Sequence, residues 1–192
     1  MIEKTFLILI LVFFILAFAI RNIKTFIATK QSIKGKSVKL KISIIISTLI
    51  YVLILLRIIR LQPDWMIEFD LSEYPQIRII GLLFILIGFI LGISALIAMK
   101  NSWRVGIKYD QKTDLITTGI YKISRNPYFL SYNILILGYI LIFPSIILIV
   151  FYLILVVVFH KMILEEEKYL ETIHKTEYLE YKNKVNRYFR IK

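Results

Sequence analysis

The chain has 192 residues, 58% of them hydrophobic, with 25 Lys and Arg against 13 Asp and Glu and a formal net charge of +12. Several apolar runs reach the roughly 20 residues that cross a bilayer, so the chain reads as one compact integral membrane domain rather than a soluble core, and its positive charge as loops facing anionic lipid rather than a nucleic-acid surface. No cysteine is present, which excludes disulfides, thiolate nucleophiles and cysteine metal sites, and the two histidines, His160 and His174, stand too far apart on one helix to share a metal.

Thr5 to Ile20 is the first apolar run. Ala17-Phe18-Ala19 resembles a cleavage site, but Glu3 cancels Lys4 and the run is long for a signal peptide, so a retained helix is expected. Arg21 to Lys41 carries seven Lys or Arg and no acid. Ile42 to Leu61 is the second span, with Arg57 and Arg60 expected to snorkel at its far end. Gln62 to Gln76 has four acids and no Lys or Arg. Ile77 to Met99 is the third span, and its Gly88-xxx-Gly92 spacing allows close helix approach. Lys100 to Pro127 is a polar loop with six Lys or Arg and two acids; the plain reading of its Trp103 is an interfacial anchor.

Tyr128 to Phe143 and Ser145 to Leu164 flank Pro144 as two arms of a helical hairpin. The first arm, at about 24 Å of helix against a core about 30 Å thick, is short for a full crossing. Beyond Lys161 the chain turns polar while helical spacing continues at Leu170, Ile173, Tyr181, Val185 and Tyr188. That predicts an amphipathic helix projecting into the cytoplasm or lying along the interface. The expected fold is therefore all-α and polytopic, with about five transmembrane helices. Residues 1–99 form a three-helix region, and 100–192 a second region of loop, hairpin and C-terminal helix. The basic loops go inside and the acidic loop outside, which puts the N-terminus outside and the C-terminal helix in the cytoplasm.

Within this pattern the stretch Thr117 to Tyr128, TTGIYKISRNPY, stands out. Pro127 forces Asn126 out of helical geometry and can open the next helix. Gly119 permits close backbone approach. The hairpin returns Glu165-Glu166-Glu167 to the same face, beside Arg125 and Arg104, where ionisable groups need partners.

These residues resemble a family. Gly119-x-Tyr121, Arg125-Asn126-Pro127-Tyr128-Phe129, an apolar hairpin, Glu166-Glu167-x-x-Leu170 and Tyr178-x-x-Tyr181 are similar to the pattern of the isoprenylcysteine carboxyl methyltransferases and the related phospholipid methyltransferases. The resemblance covers about 101–190; the first two helices match only in being apolar. Two positions depart from it. The family's aromatic more usually stands two residues after the proline, where this chain has Phe129. Asn126 stands where eukaryotic members have histidine, and asparagine can hold a ligand but cannot titrate.

The resemblance implies an integral membrane methyltransferase that uses S-adenosylmethionine on a membrane lipid or lipidated substrate, without metal. It implies Arg125, Asn126, Glu166 and Glu167 as catalytic. Trp103, Arg104, Gly119, Tyr121, Pro127, Tyr128 and Tyr178 join those four in binding the cofactor. The functional acid pair is Glu166-Glu167 or Glu165-Glu166. Arg125 or Arg104 suits the cofactor carboxylate, a glutamate its ammonium, and Tyr121 and Trp103 its adenine or sulfonium. No Gly-x-Gly-x-x-Gly loop exists, which excludes a Rossmann methyltransferase. A carboxylate acceptor needs no base, whereas a lipid amine must lose a proton and no base is evident, so O-methylation is favoured. Two other readings stand beside this one: a membrane sterol-reductase-like enzyme using NADPH, and a non-enzymatic scaffold or transport component.

Overall fold

The computed structural model describes residues 2–109 and 113–189; Arg190, at the end of the resemblance, lies outside them. Five α-helices follow one another: α1 (Ile2–Thr29), α2 (Val38–Ile58), α3 (Pro75–Met99), α4 (Pro127–Ile142) and α5 (Ile146–Lys184). One-turn 3-10 helices occupy Lys100–Ser102 and Gly119–Lys122. No strand forms among the described residues, which contain only two isolated backbone bridges. Four of the helices are long and apolar enough to cross a membrane, and α4, with 16 residues, is shorter. The chain is thus an all-α polytopic membrane protein.

The most extensive helix pair is α3 with α4, and glycines make it close. A Cβ on Gly138 would stand 2.7 Å from the Gly81 carbonyl oxygen and 2.8 Å from the Ile85 nitrogen. A Cβ on Gly88 would stand 2.7 Å from the Leu135 nitrogen. Between helices in lipid, where no hydrophobic force draws them together, such backbone proximity supplies the packing. The Gly88-xxx-Gly92 spacing therefore does serve close approach: both glycines meet α4, Gly88 at Leu135 and Gly92 at the Ser131 hydroxyl, and Gly92 meets a second helix as well. Gly92 faces Phe14 of α1.

The boundaries depart from expectation where tertiary contacts extend a helix. α1 runs on through Arg21 to Thr29, so the first part of the basic segment is helix rather than loop. The remaining loop is short and docks on residue 105: Gly35 N–H donates to the Val105 carbonyl at 2.9 Å, and Val105 N–H to Ile33 at 2.9 Å. Ser37 then caps α2, its hydroxyl accepting from Leu40 N–H at 3.1 Å. These contacts gather both basic loops on one face of the molecule, here called the basic face.

At the opposite end Arg57 does not snorkel. Its guanidinium pairs with Glu68 and lies 5.3 Å from the Phe143 ring centroid. Glu68 belongs to the acidic loop, which folds over the hairpin tip: Phe69 N–H donates to Pro144 at 2.9 Å and Ile146 N–H to Ile67 at 3.2 Å. The polar backbone at the end of the short α4 is thereby satisfied by protein, as a lipid environment demands.

The expected amphipathic tail is continuous with the last span but does not project away from the rest of the chain. Lys175 adopts φ 45° and ψ −119°, which breaks the helical path. The segment beyond it turns back, and Tyr178, Tyr181 and Val185 bury themselves against Leu115 and Leu170.

Gly138→Val tests the α3–α4 contact. Overpacking costs about 1–3 kcal/mol where neighbours can yield, and here the neighbours are backbone atoms, so the loss should reach or exceed that range. Thermal unfolding in detergent should show a clear fall in midpoint; an unchanged midpoint would mean that α3 and α4 separate at little cost.

Candidate active site

Successive residues on a helix point about 100° apart, so three consecutive glutamates cannot share one environment. Glu165 pairs with Lys39 of α2. Glu166 lines a cavity. Glu167, only 4% exposed, turns inward. Its Oε1 accepts from Arg125 Nη2 at 2.8 Å and Nε at 3.2 Å, and from Asn126 Nδ2 at 3.3 Å. Its Oε2 accepts from Arg187 Nη2 at 2.8 Å and Nε at 3.0 Å. Burial alone would raise the Glu167 pKa, but the hydrogen bonds and charges of Arg187 and Arg125 outweigh it and hold the group below its usual range.

Around this carboxylate the rest of the basic face assembles. Arg125 also donates from Nη1 to the carbonyls of Val185 at 2.6 Å and Lys182 at 3.1 Å. Its own N–H donates to Asn186 at 3.0 Å. The Ser124 hydroxyl donates to the Arg187 carbonyl at 3.1 Å. Residues 185–189 thus form a strap across the start of α4, and Tyr188 O–H meets His160 Nδ1 at 2.7 Å. The loop itself is shaped by backbone geometry. Gly119, at φ +63°, opens the 3-10 turn, and Tyr121 presents its carbonyl to the Tyr181 hydroxyl at 2.6 Å. Pro127 starts α4 and leaves Asn126 non-helical at φ −130° and ψ 53°.

A cavity of about 630 Å³ opens beside this assembly. On the basic face it is lined by Trp103, Arg104, Asp114, Tyr121, Arg125, Asn126, Glu166, Tyr169 and Tyr178. Deeper, it runs between α1, α2, α4 and α5, lined by Leu11, Phe14, Phe18, Ser47, Tyr51, Tyr128, Tyr132 and Phe159. Of the residues expected at the site, Trp103, Arg104, Tyr121, Arg125, Asn126, Tyr128, Glu166 and Tyr178 come together on its wall. Gly119, Pro127 and Glu167 do not line it; they build the loop and the ion cluster behind it.

Several roles differ from the plain reading. Trp103 is no interfacial anchor: it is 4% exposed, donates its indole N–H to Asn22 at 2.7 Å, and packs edge-on against Tyr128 at 4.9 Å and Phe18 at 5.9 Å between ring centroids. Tyr178 is 1% exposed, and its buried hydroxyl has no hydrogen-bond partner among the described residues. Glu166 lies just past Leu164, the last residue of the apolar arm. Burial, and then the adjacent charge of Glu167, push its pKa up to about 7. Arg187, Asn22 and Asp114 were not legible as site residues. Arg187 lies beyond the last helix, where no spacing announces it; Asn22 sits in a segment read as loop.

Glu167→Gln would leave the Arg125 guanidinium, 7% exposed, without its counter-charge. Breaking a buried pair costs about 3–5 kcal/mol. Amide hydrogen exchange at residues 185–189 should accelerate strongly in Glu167→Gln and less in Arg187→Ala, whose side chain is 32% exposed. Unchanged exchange in both would show that the strap is held by something other than this cluster.

Among the described residues no group of three or more His, Asp or Glu is placed to hold a metal ion. No relative among curated proteins matches the chain. A family profile described as Phospholipid methyltransferase matches residues 77–177, a stretch from the start of α3 into the tail of α5 that takes in the glycine-packed pair, the 117–128 loop and all three glutamates. That match spans more than half of the 192 residues, and the chain belongs to the phospholipid methyltransferase family.

Proposed function

We propose that this protein transfers a methyl group from S-adenosylmethionine to the polar head of a membrane lipid at the cytoplasmic face. The observation that carries the reading is the single cavity joining a charged mouth on the basic face to an apolar slot among the spanning helices. A polar donor suits the first part and a lipid acceptor the second. The family supports methyl transfer in general.

The residues at the mouth fit the donor. S-adenosylmethionine supplies an electrophilic methyl group when bound. Glu166 offers a carboxylate to its ammonium, and the Tyr178 hydroxyl is a polar group in want of a partner. Trp103, Tyr121 and Tyr128 offer aromatic faces to a cation or to adenine. Arg125 is committed to Glu167 and to main-chain carbonyls. We therefore give Arg125, Glu167 and Arg187 a positioning role, and the carboxylate of the donor to Arg104, which lines the cavity wall and is itself oriented by Nη1 donating to the carbonyls of Asn101 at 2.9 Å and Trp103 at 2.7 Å. Asn126 shares Glu167 and lines the wall beside the reacting groups.

The acceptor that suits this wall is an amine rather than a carboxylate. A carboxylate would meet the negative charge of Glu166. An amine finds in the same group a base whose proton affinity suits neutral pH. A neutral amine would take up the methyl group that the donor supplies, and Glu166 would receive the proton that its nitrogen then sheds. The enclosing helices align the partners and exclude water. A reductase using NADPH has less support: of the cations on the cavity wall, Arg104, Lys108 and Arg125, the last is already held by Glu167.

Calorimetry with S-adenosylmethionine and NADPH in turn tests the donor. S-adenosylmethionine should bind. Glu166→Gln should weaken it roughly 10- to 150-fold, since a charge-assisted hydrogen bond is worth about 1.5–3 kcal/mol. Binding of NADPH alone would replace this reading with the reductase. Methyl transfer to lipid amines should rise with pH through about 7 as Glu166 deprotonates, and Glu166→Gln should flatten that rise. A wild-type profile flat between pH 6 and 8 would remove Glu166 as the base.

The cytoplasmic orientation is tested by cysteines placed at Ser37 and Ser72. A reagent that cannot cross the membrane should label Ser72→Cys in intact cells and Ser37→Cys only after lysis. The opposite pattern would put the cavity mouth outside.

A further inference from the structure

Deep in the slot the wall is not uniformly apolar. Ser43, Ser47 and Tyr51 lie on one face of α2 at i, i+4 and i+8, and all three line the cavity with Tyr132 of α4. The Tyr132 hydroxyl stands within reach of those of Ser47 and Tyr51, and the Tyr51 and Tyr132 rings lie 5.7 Å apart. Ser43 is satisfied by the Leu40 carbonyl at 2.9 Å. The Tyr51 hydroxyl is buried and makes no hydrogen bond of normal geometry among the described residues. A buried polar group left unmade costs about 1–3 kcal/mol, so a hydroxyl on the wall of the slot favours an occupant that brings it an acceptor.

The depth of this hydroxyl group follows from two helices independently. Tyr132 is six residues along from Asn126, about 9 Å at 1.5 Å per residue. Phe159, whose ring meets that of Tyr132 at 5.2 Å, is seven residues from Glu166, about 10 Å. In a glycerophospholipid with an aminoethyl head, nine bonds separate the amine nitrogen from the carbonyl carbon of the middle ester. At bond lengths near 1.5 Å that path spans on the order of 10 Å when extended. An amine at Glu166 therefore places its ester carbonyls at the level of Tyr51 and Tyr132.

Resting on the lipid-amine reading above, we propose that Ser47, Tyr51 and Tyr132 form an ester-recognition site, donating hydrogen bonds to the acyl carbonyls of a diacyl glycerophospholipid acceptor. Tyr51 and Tyr132 are the specificity residues, and the head is held separately at the mouth. A purely hydrocarbon chain, such as a prenyl group, offers these hydroxyls nothing.

The test compares diacyl phosphatidylethanolamine with its dialkyl ether analogue, which keeps the head and the chains but lacks the carbonyls. Each is titrated into the full chain in detergent, with bound lipid read by native mass spectrometry. Wild type should hold the ester lipid more tightly by roughly 2- to 12-fold per hydrogen bond, each being worth about 0.5–1.5 kcal/mol. Tyr51→Phe and Ser47→Ala should lose that preference by weakening the ester lipid alone, with ether binding unchanged. Hydroxyls that serve only to join α2 to α4 predict equal binding of the two lipids in wild type, or a preference that survives in Tyr51→Phe. Either result overturns the proposal. Because binding is read directly, an intact ester preference without methyl transfer in the same preparation would overturn the methyl-transfer reading and leave the ester site standing.

Discussion

A carboxylate removed from water is tolerated only when charge and hydrogen bonds replace its hydration. Glu167 meets that condition with two guanidinium groups and a side-chain amide, drawn from two separate parts of the chain, Arg125-Asn126 before α4 and Arg187 after α5. The requirement works in both directions. Arg125, equally buried, has its counter-charge only if the loop before α4 and the middle of α5 stay together. Arg187 adds the strap. One ion cluster therefore fixes the relative positions of the 117–126 loop, the arm of α5 on the basic face and the C-terminal segment. It also fixes Glu166, because the residue beside a fully engaged Glu167 must point about 100° away, and there the cavity lies. Burial first, and then the adjacent charge of Glu167, lift the proton affinity of Glu166, so the cluster sets the place of the candidate acid and contributes to its chemistry.

The membrane adds a second constraint. A 16-residue α4 is short for the bilayer, yet the motif at its start must stay at the surface. Its other end is consequently covered by the folded acidic loop, with Arg57 and Glu68 neutralising each other beneath it. Close packing on α3 through Gly81, Gly88 and Gly138 holds this short helix against a longer one. With α4 tied to α3, the space between it and α1 and α2 is left open as the slot.

Much of this was legible in the sequence because it depends on local chemistry. Apolar run length gave the spans, Pro127 the start of α4, and the clustering of Arg125 with the glutamates a shared face. What escaped depends on tertiary contact. Lys175 carries no glycine or proline signal, yet it turns the tail back, so an amphipathic helix that periodicity leaves projecting or lying on the interface instead buries Tyr178 and Tyr181. Arg57 reads as a snorkelling residue because snorkelling needs no partner, and Glu68 lies in a different loop. Arg125 was legible as a cation near an acid, but not as one whose donors are taken up by protein. Trp103 looked like an anchor until Asn22, inside an unexpectedly long α1, supplied its partner.

The distribution of charge along the cavity bears on the reaction proposed for it. Transfer from a sulfonium to a neutral amine moves positive charge from sulfur to nitrogen without creating any. A wall suited to that shift needs a fixed negative group close by and polarisable faces around it, rather than an oxyanion hole. Glu166 with Trp103 and Tyr128 supplies such a wall, while Phe14 and Phe18 close the stack on its membrane side. Below that aromatic collar the lining carries hydroxyls but no ionisable acid or base that is charged at neutral pH. A charged head drawn deeper would lose hydration without finding a counter-charge, so the collar marks how far a polar head can descend. A lipid bound as proposed is thus held in register from both ends, by the limit on its head above and by the hydroxyl group at its esters below.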